Sequence, residues 1–137
     1  MKILELLTPK RKIGNIGERA GEKFLKKNGY KILARNYTAF DAETDIIAMK
    51  DGTLAFVEVK TRTLGHLDAR EARPASAVNA EKQRKLIRCA KAFMSTNCEL
   101  RGKMRFDIIE VYLTENEKVA EIKHLISAFN YNTAYQK

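Results

Sequence analysis

Residues 43–60 read ETDIIAMKDGTLAFVEVK. Asp51-Gly52 at the centre is a pair that tolerates the positive φ angles of a tight hairpin turn, and β-branched and aromatic residues flank it. The spacing predicts strands over Asp45–Met49 and Leu54–Lys60. With Asp51 and Gly52 as the two turn residues, Lys50 pairs with Thr53, and each step back along one strand is matched by a step forward along the other. Asp45 is thereby set opposite Glu58, and Glu43 opposite Lys60. Alternation puts Glu43, Asp45, Ile47 and Met49 on one face with Leu54, Phe56, Glu58 and Lys60; Ile46, Ala48, Ala55, Val57 and Val59 take the other. Both faces are apolar over most of their length, so the hairpin belongs inside a sheet covered on both sides, with its carboxylates at one end.

The flanking sequence supplies the covering layers. Ile13, Ile16, Gly17, Ala20, Gly21, Phe24 and Leu25 form the narrow stripe of a helix that stops at Asn28-Gly29. Tyr30–Tyr37 reads as a strand. Thr61–Ala77 is polar, contains Gly65 and Pro74, and is expected to be a loop. Asn79 can cap a helix reaching Met94, whose packed side is Leu86, Ile87, Ala90, Phe93 and Met94. Its other side carries Lys82, Arg84, Lys85, Arg88 and Lys91. Arg105–Leu113 and Val119–Leu125 read as strands about a turn at Thr114–Lys118, before a short terminal segment containing Phe129. The expected fold is one α/β domain over residues 1–137, in αβββαβ order with a last strand, built on a central mixed sheet of about five strands.

The chain has 137 residues, 45% hydrophobic and 31% charged, with 26 Lys and Arg against 17 Asp and Glu, a net charge of +9. This balance favours a polyanionic partner. Residues 1–40 are net +7 and residues 60–91 net +6, whereas residues 41–59 form an acidic island of −4. Cys89 and Cys98 are too few for a disulfide framework and lack the spacing of a zinc site, which points to a reducing, cytoplasmic setting. Ile3, Leu4, Leu6 and Leu7, interrupted by Glu5, fall short of a signal core or membrane span, so no membrane partner is expected. Gly14, Gly17 and Gly21 lie inside a helix and serve close packing rather than phosphate cradling. His66 and His124 have no partner at ligand spacing and read as ordinary surface or edge residues. Cys89 reads as a small hydrophobe. Tyr37, Phe40 and Tyr131 read mostly as packing residues, without an interleaved basic and aromatic platform.

Two carboxylates opposed across a ladder repel one another unless one is protonated or a cation lies between them. Mg2+ or Mn2+ resolves the conflict, because Mg2+ takes one or two carboxylates, keeps several waters and completes its shell with phosphate oxygens. Asp45 and Glu58 are therefore the candidate ligands, and the main-chain carbonyl of Val59 a further oxygen donor. Lys60, two residues beyond Glu58, could orient or help deprotonate a metal-bound water. The plainer reading is a surface salt-bridge cluster of little energetic consequence. Burial of the strands that carry these charges favours the site. Arg62, Lys82, Lys85 and Arg88 would hold the phosphate backbone, giving salt-dependent and weakly sequence-specific binding.

Asp45 followed, after twelve residues, by Glu58-Val59-Lys60 resembles the PD-(D/E)XK nuclease signature. Over nearly its whole length the chain also resembles the YraN-like family of small bacterial proteins, itself similar to Holliday-junction resolvases. The matching stretches are GNIGE at 14–18, GYKILARN at 29–36, ETDIIA at 43–48, FVEVKTR at 56–62, Lys82 and RFD at 105–107. The resemblance implies a restriction-endonuclease-like three-layer fold and a Mg2+- or Mn2+-dependent endonuclease acting on DNA, in branched or single-stranded forms, with DNA favoured over RNA. It implies Asp45 and Glu58 as metal ligands, Lys60 as the catalytic lysine, and Glu18 as an additional acidic residue from the first helix. Ala42-Glu43-Thr44-Asp45 departs from the family's Gly-Glu-Ile-Asp: the acids remain and the flexible glycine does not. The rival expectation is a non-catalytic nucleic-acid-binding or adaptor protein on the same scaffold. A homodimer is compatible with either.

Overall fold

The computed structural model, which describes residues 9–65, 78–100 and 102–135, places Asp51 and Gly52 at φ of 51° and 76°, the left-handed pair of a two-residue hairpin. The strands it joins are β2 (Ala42–Lys50) and β3 (Thr53–Thr63), preceded by α1 (Pro9–Lys27) and β1 (Lys31–Ala39). After them come α2 (Ala80–Thr96), β4 (Lys103–Leu113), β5 (Val119–Phe129) and a short α3 (Tyr131–Tyr135). The five strands lie in the order β1-β2-β3-β4-β5. Neighbours joined by turns are antiparallel. The β3–β4 pair, joined through α2, is parallel, as a crossover requires.

The hairpin is interior, as its two apolar faces predict. Ile46, Ala48, Ala55 and Val57 pack with Ile109, Val111 and Leu113 against α1 through Leu25, Ile16 and Ala20. Ile47, Leu54 and Phe56 pack with Phe106 and Ile108 against Leu86, Ile87, Ala90 and Phe93 of α2. The result is a three-layer α/β domain with a mixed sheet. Asn79 caps α2 through its Oδ1, which accepts from the Lys82 N–H at 2.8 Å.

β3 extends beyond the sequence-based boundary. Thr61–Thr63, expected as loop, pair in parallel with Val111–Leu113, because the buried end of β4 supplies ladder partners for their backbone. Residues 66–77 of the expected loop, with His66 and Pro74, lie outside the described residues.

Glycine spacing in α1 sets how closely the helix meets the sheet. A Cβ on Gly17 would fall 1.7 Å from Thr61 Oγ1 and 2.8 Å from Thr61 Cβ, whereas a Cβ on Gly14 would meet nothing within 4 Å. Gly17→Ala is therefore expected to destabilise the protein by about 1–3 kcal/mol through overpacking. Gly14→Ala is expected to stabilise it by about 0.5–1 kcal/mol through helix propensity alone. Thermal melts of the two variants, moving in opposite directions, check this reading of the packing.

His124 is a correction. It sits in β5 against the edges of Phe24 and Tyr30, its Nε2 2.8 Å from Asp107 Oδ2. Asp107 is 0% exposed and also receives Arg105 Nε at 2.9 Å and the Ser127 N–H at 3.0 Å. Ser127 reaches it because β5 bulges there, with Ser127 at φ 54°. Against the opposing effect of burial, hydrogen bonds from His124, Arg105 and Ser127 hold the Asp107 carboxyl below its ordinary value.

Candidate functional site

The predicted hairpin register holds from Lys50↔Thr53 to Ile46↔Val57. There the β2–β3 pairing ends, while β2 stays with β1 through Tyr37↔Thr44, Thr38↔Glu43 and Ala39↔Ala42. Glu43 is thus paired with Thr38 rather than set opposite Lys60, and Asp45 and Glu58 are not ladder partners. Strict alternation fails at the same point. Ile47 packs on the α2 side, yet Thr44, three residues away, also faces α2, with its Oγ1 3.5 Å from Cys89 Sγ. Across from this break, between Arg35↔Ile46 and Tyr37↔Thr44, Asn36 of the neighbouring strand takes φ of 50°, a conformation that Asn tolerates better than most residues.

At this break Asp45 turns its carboxylate onto β3, where Oδ2 accepts the Val59 N–H at 2.8 Å. Burial and then the Glu58 charge push the Asp45 carboxyl up, to about 8, and the two carboxyl groups adjoin closely enough to act on each other by hydrogen bonding as well. Glu58 is buried on the α2 side, with Oε2 2.5 Å from the Lys82 ammonium. Glu18 is presented by α1; burial first, then Glu43 and Glu58, push its carboxyl up. Lys60 follows Glu58 on the same face. Burial and the Lys82 ammonium pull it below the usual lysine value, with Glu58 and Glu110 acting the other way.

Asp45 borders two clefts. One, of about 530 Å3, lies toward α2 and is lined by Asp41, Glu43, Asp45, Glu58, Lys82 and Lys85 among others. The other, of about 410 Å3, lies toward α1 and includes Asn15, Glu18, Arg19, Arg35 and Asp45. The structure thus brings Asp45, Glu58, Lys60 and Glu18 into one electrostatic cluster. Val59 contributes its N–H to Asp45, while its side chain packs toward α1.

Each cation expected to hold phosphate has an acidic partner. Lys82 pairs with Glu58, and Lys85 and Arg88 each lie 3.5 Å from Asp41. Arg62, largely buried, is 3.9 Å from Glu110 Oε2. Asp41 and Glu110 were not singled out from sequence as partners of these cations. Asp41 was visible only as part of the acidic island. Glu110 becomes legible once β4 is laid parallel to β3, which places it beside Lys60.

The donor set fits a hard divalent cation. Asp45 and Glu58 adjoin, with Asp45 pushed up first by burial and then by the Glu58 charge, and a cation between two such carboxylates relieves their repulsion, Mg2+ taking them alongside water and phosphate oxygens. Among the described residues no three His, Cys, Asp or Glu side chains converge as a metal cage. No helix among the described residues is long and apolar enough to cross a membrane.

A family model described as "Uncharacterised protein family UPF0102" matches residues 17–111. A UPF0102 protein of Caldanaerobacter subterraneus is 36% identical over 121 residues, covering 88% of this chain and 96% of the relative. One from Clostridium acetobutylicum is 39% identical over 119 residues, covering 87% and 94%. One from Chloroherpeton thalassium is 42% identical over 110 residues, covering 78% and 80%.

Proposed function

The chain belongs to the uncharacterised protein family UPF0102, and from that premise we propose that it hydrolyses phosphodiester bonds in DNA with the help of a divalent cation. The observation that carries the reading is the pairing of Asp45 with Glu58 at the end of two buried strands, beside a cleft and a half-buried lysine. Asp45 and Glu58 would hold Mg2+ or Mn2+, with the Val59 carbonyl as a further oxygen donor. When bound, such an ion supplies Lewis-acid polarisation of the phosphate and a more acidic water.

The chain's own groups do the rest. Lys60, held below the usual lysine value by burial and Lys82, is suited to orienting the attacking water and accepting a proton from it. Glu18 adds a carboxyl from the α1 side. Lys82, Lys85 and Arg88, on the exposed ridge of α2, exchange their acidic partners for backbone phosphates, and Arg62 adds charge beneath them. Binding of this kind weakens steeply with salt.

A panel of branched, nicked, single-stranded and duplex DNA, incubated with Mg2+ or Mn2+, tests the reading. Cleavage of at least one form is expected, falling about 10²- to 10⁴-fold in Lys60→Ala with binding retained. Cleavage unchanged by that substitution removes Lys60 from the mechanism. One observation favours an adaptor instead: Lys82 already neutralises Glu58 at 2.5 Å. That reading predicts salt-sensitive binding to the same panel with no cleavage of any member.

A further inference from the structure

The short helix α3 carries two exposed aromatic rings. α3 is held by buried Ala134, by Arg84 donating to the Ala134 carbonyl at 2.7 Å, and by Thr133, whose hydroxyl is 2.9 Å from Gln83 Oε1. A reciprocal cap closes its start, with the Thr133 N–H on Asn130 Oδ1 and the Asn130 N–H on Thr133 Oγ1, both at 3.0 Å. Tyr131 and Tyr135 remain 55% and 39% exposed.

Their rings stack on one another, with centroids 4.4 Å apart and planes 26° from parallel. Lys91 Nζ lies 5.2 Å from the Tyr131 ring centre and the Arg84 guanidinium 5.8 Å from that of Tyr135. Both cations come from α2, seven residues apart and so on one side of it. The order Lys91, Tyr131, Tyr135, Arg84 is a short ladder of two stacked rings with a cation at each end. It adjoins the helix that carries Lys82, Lys85 and Arg88, and Glu81 is the only acid of α2.

We propose that this ladder is a landing surface for unpaired bases of a DNA strand, leading to the candidate site along α2. The chemistry selects single strands. A ring face rewards an open base face whatever its identity, and a cation beside it rewards the adjoining phosphate. Bases in a duplex already stack on each other and present only edges. Lys91 is exposed and flexible, so a base takes its place over Tyr131 while its ammonium moves to the phosphate. The inference rests on the nucleic-acid reading above and adds the class of substrate: DNA with a single-stranded arm.

The chain contains no tryptophan, so Tyr131→Trp introduces a single reporter. Its emission is expected to be quenched by oligo(dT) and left unchanged by inorganic polyphosphate, a polyanion without bases. Equal quenching by both, or by neither, overturns the proposal. The double variant Tyr131→Ala/Tyr135→Ala is expected to bind oligo(dT) about 5- to 100-fold more weakly, with duplex binding unchanged, and its circular dichroism reports whether the fold is kept. A dimer in solution that the double variant dissolves would instead assign the rings to a second copy of the chain, against the proposal. Failure of the nuclease reading looks different: no DNA is cleaved, while oligo(dT) still quenches the reporter.

Discussion

Asp45→Asn is expected to lower divalent-ion-dependent cleavage by about 10³-fold or more, the scale on which loss of a metal's charge stabilisation acts, without loss of the fold. The two halves of this result have one origin. Burial and Glu58 push the Asp45 carboxyl up, to about 8, so the folded chain keeps a proton there that the unfolded chain gives up near pH 4. A raised carboxyl contributes stability below its unfolded value and loses it as pH rises toward the folded one. Asn cannot ionise and still offers an oxygen to the Val59 N–H, so at pH 8 the variant is expected to melt no lower than the unaltered chain, and to lack that descending limb between pH 4 and 8. Glu58→Gln is expected to lose activity equally, since either carboxylate alone is half of the pair. Thermal melts across pH, run beside cleavage assays, separate lost chemistry from lost fold.

The largest expected effect on stability lies at Asp107. It is fully buried, and its two oxygens satisfy Arg105, His124 and the Ser127 N–H. Asp107→Ala strands a guanidinium, a ring nitrogen and a backbone donor at the edge of the core. Removing one partner of a buried ion pair typically costs about 3–5 kcal/mol. For a chain of this length that is a fall of roughly 10–20 °C in melting temperature. The pH dependence has the opposite sign to that of Asp45. The Asp107 carboxyl is held below its ordinary value, so its contribution is present above the unfolded value and is lost as pH falls through the folded one. Below that range the gap between Asp107→Ala and the unaltered chain is expected to close, and a gap that persists there would show that packing, not charge, is what the substitution removes.

The hairpin was legible because Asp51-Gly52 admits few turn geometries, and the turn then fixes every later pair up to Ile46↔Val57. Past that pair the reading failed for a reason the sequence conceals. Asn36, in the neighbouring strand, adopts a left-handed conformation across from that point, and Thr44 turns toward Cys89. Asp45 and Glu58 still meet, because a side chain can cross the gap where the ladder stops. The Asp107–His124 contact joins residues 17 apart through a bulge at Ser127, whose positive φ nothing in its neighbours announces. Tyr131 and Tyr135 stand at helical spacing, but five residues are too few to signal a helix, and what turns them outward is the docking of Ala134 and Thr133 on α2.

If Asp45 and Glu58 together hold one divalent ion, as proposed, calorimetric titration of the full chain with Mn2+ reads it out without any need for a substrate. One ion bound per chain is expected, with binding abolished in both Asp45→Asn and Glu58→Gln and retained in Tyr131→Ala/Tyr135→Ala. Mn2+ binding that survives both carboxylate substitutions, or is absent from the unaltered chain at millimolar ion, would contradict it.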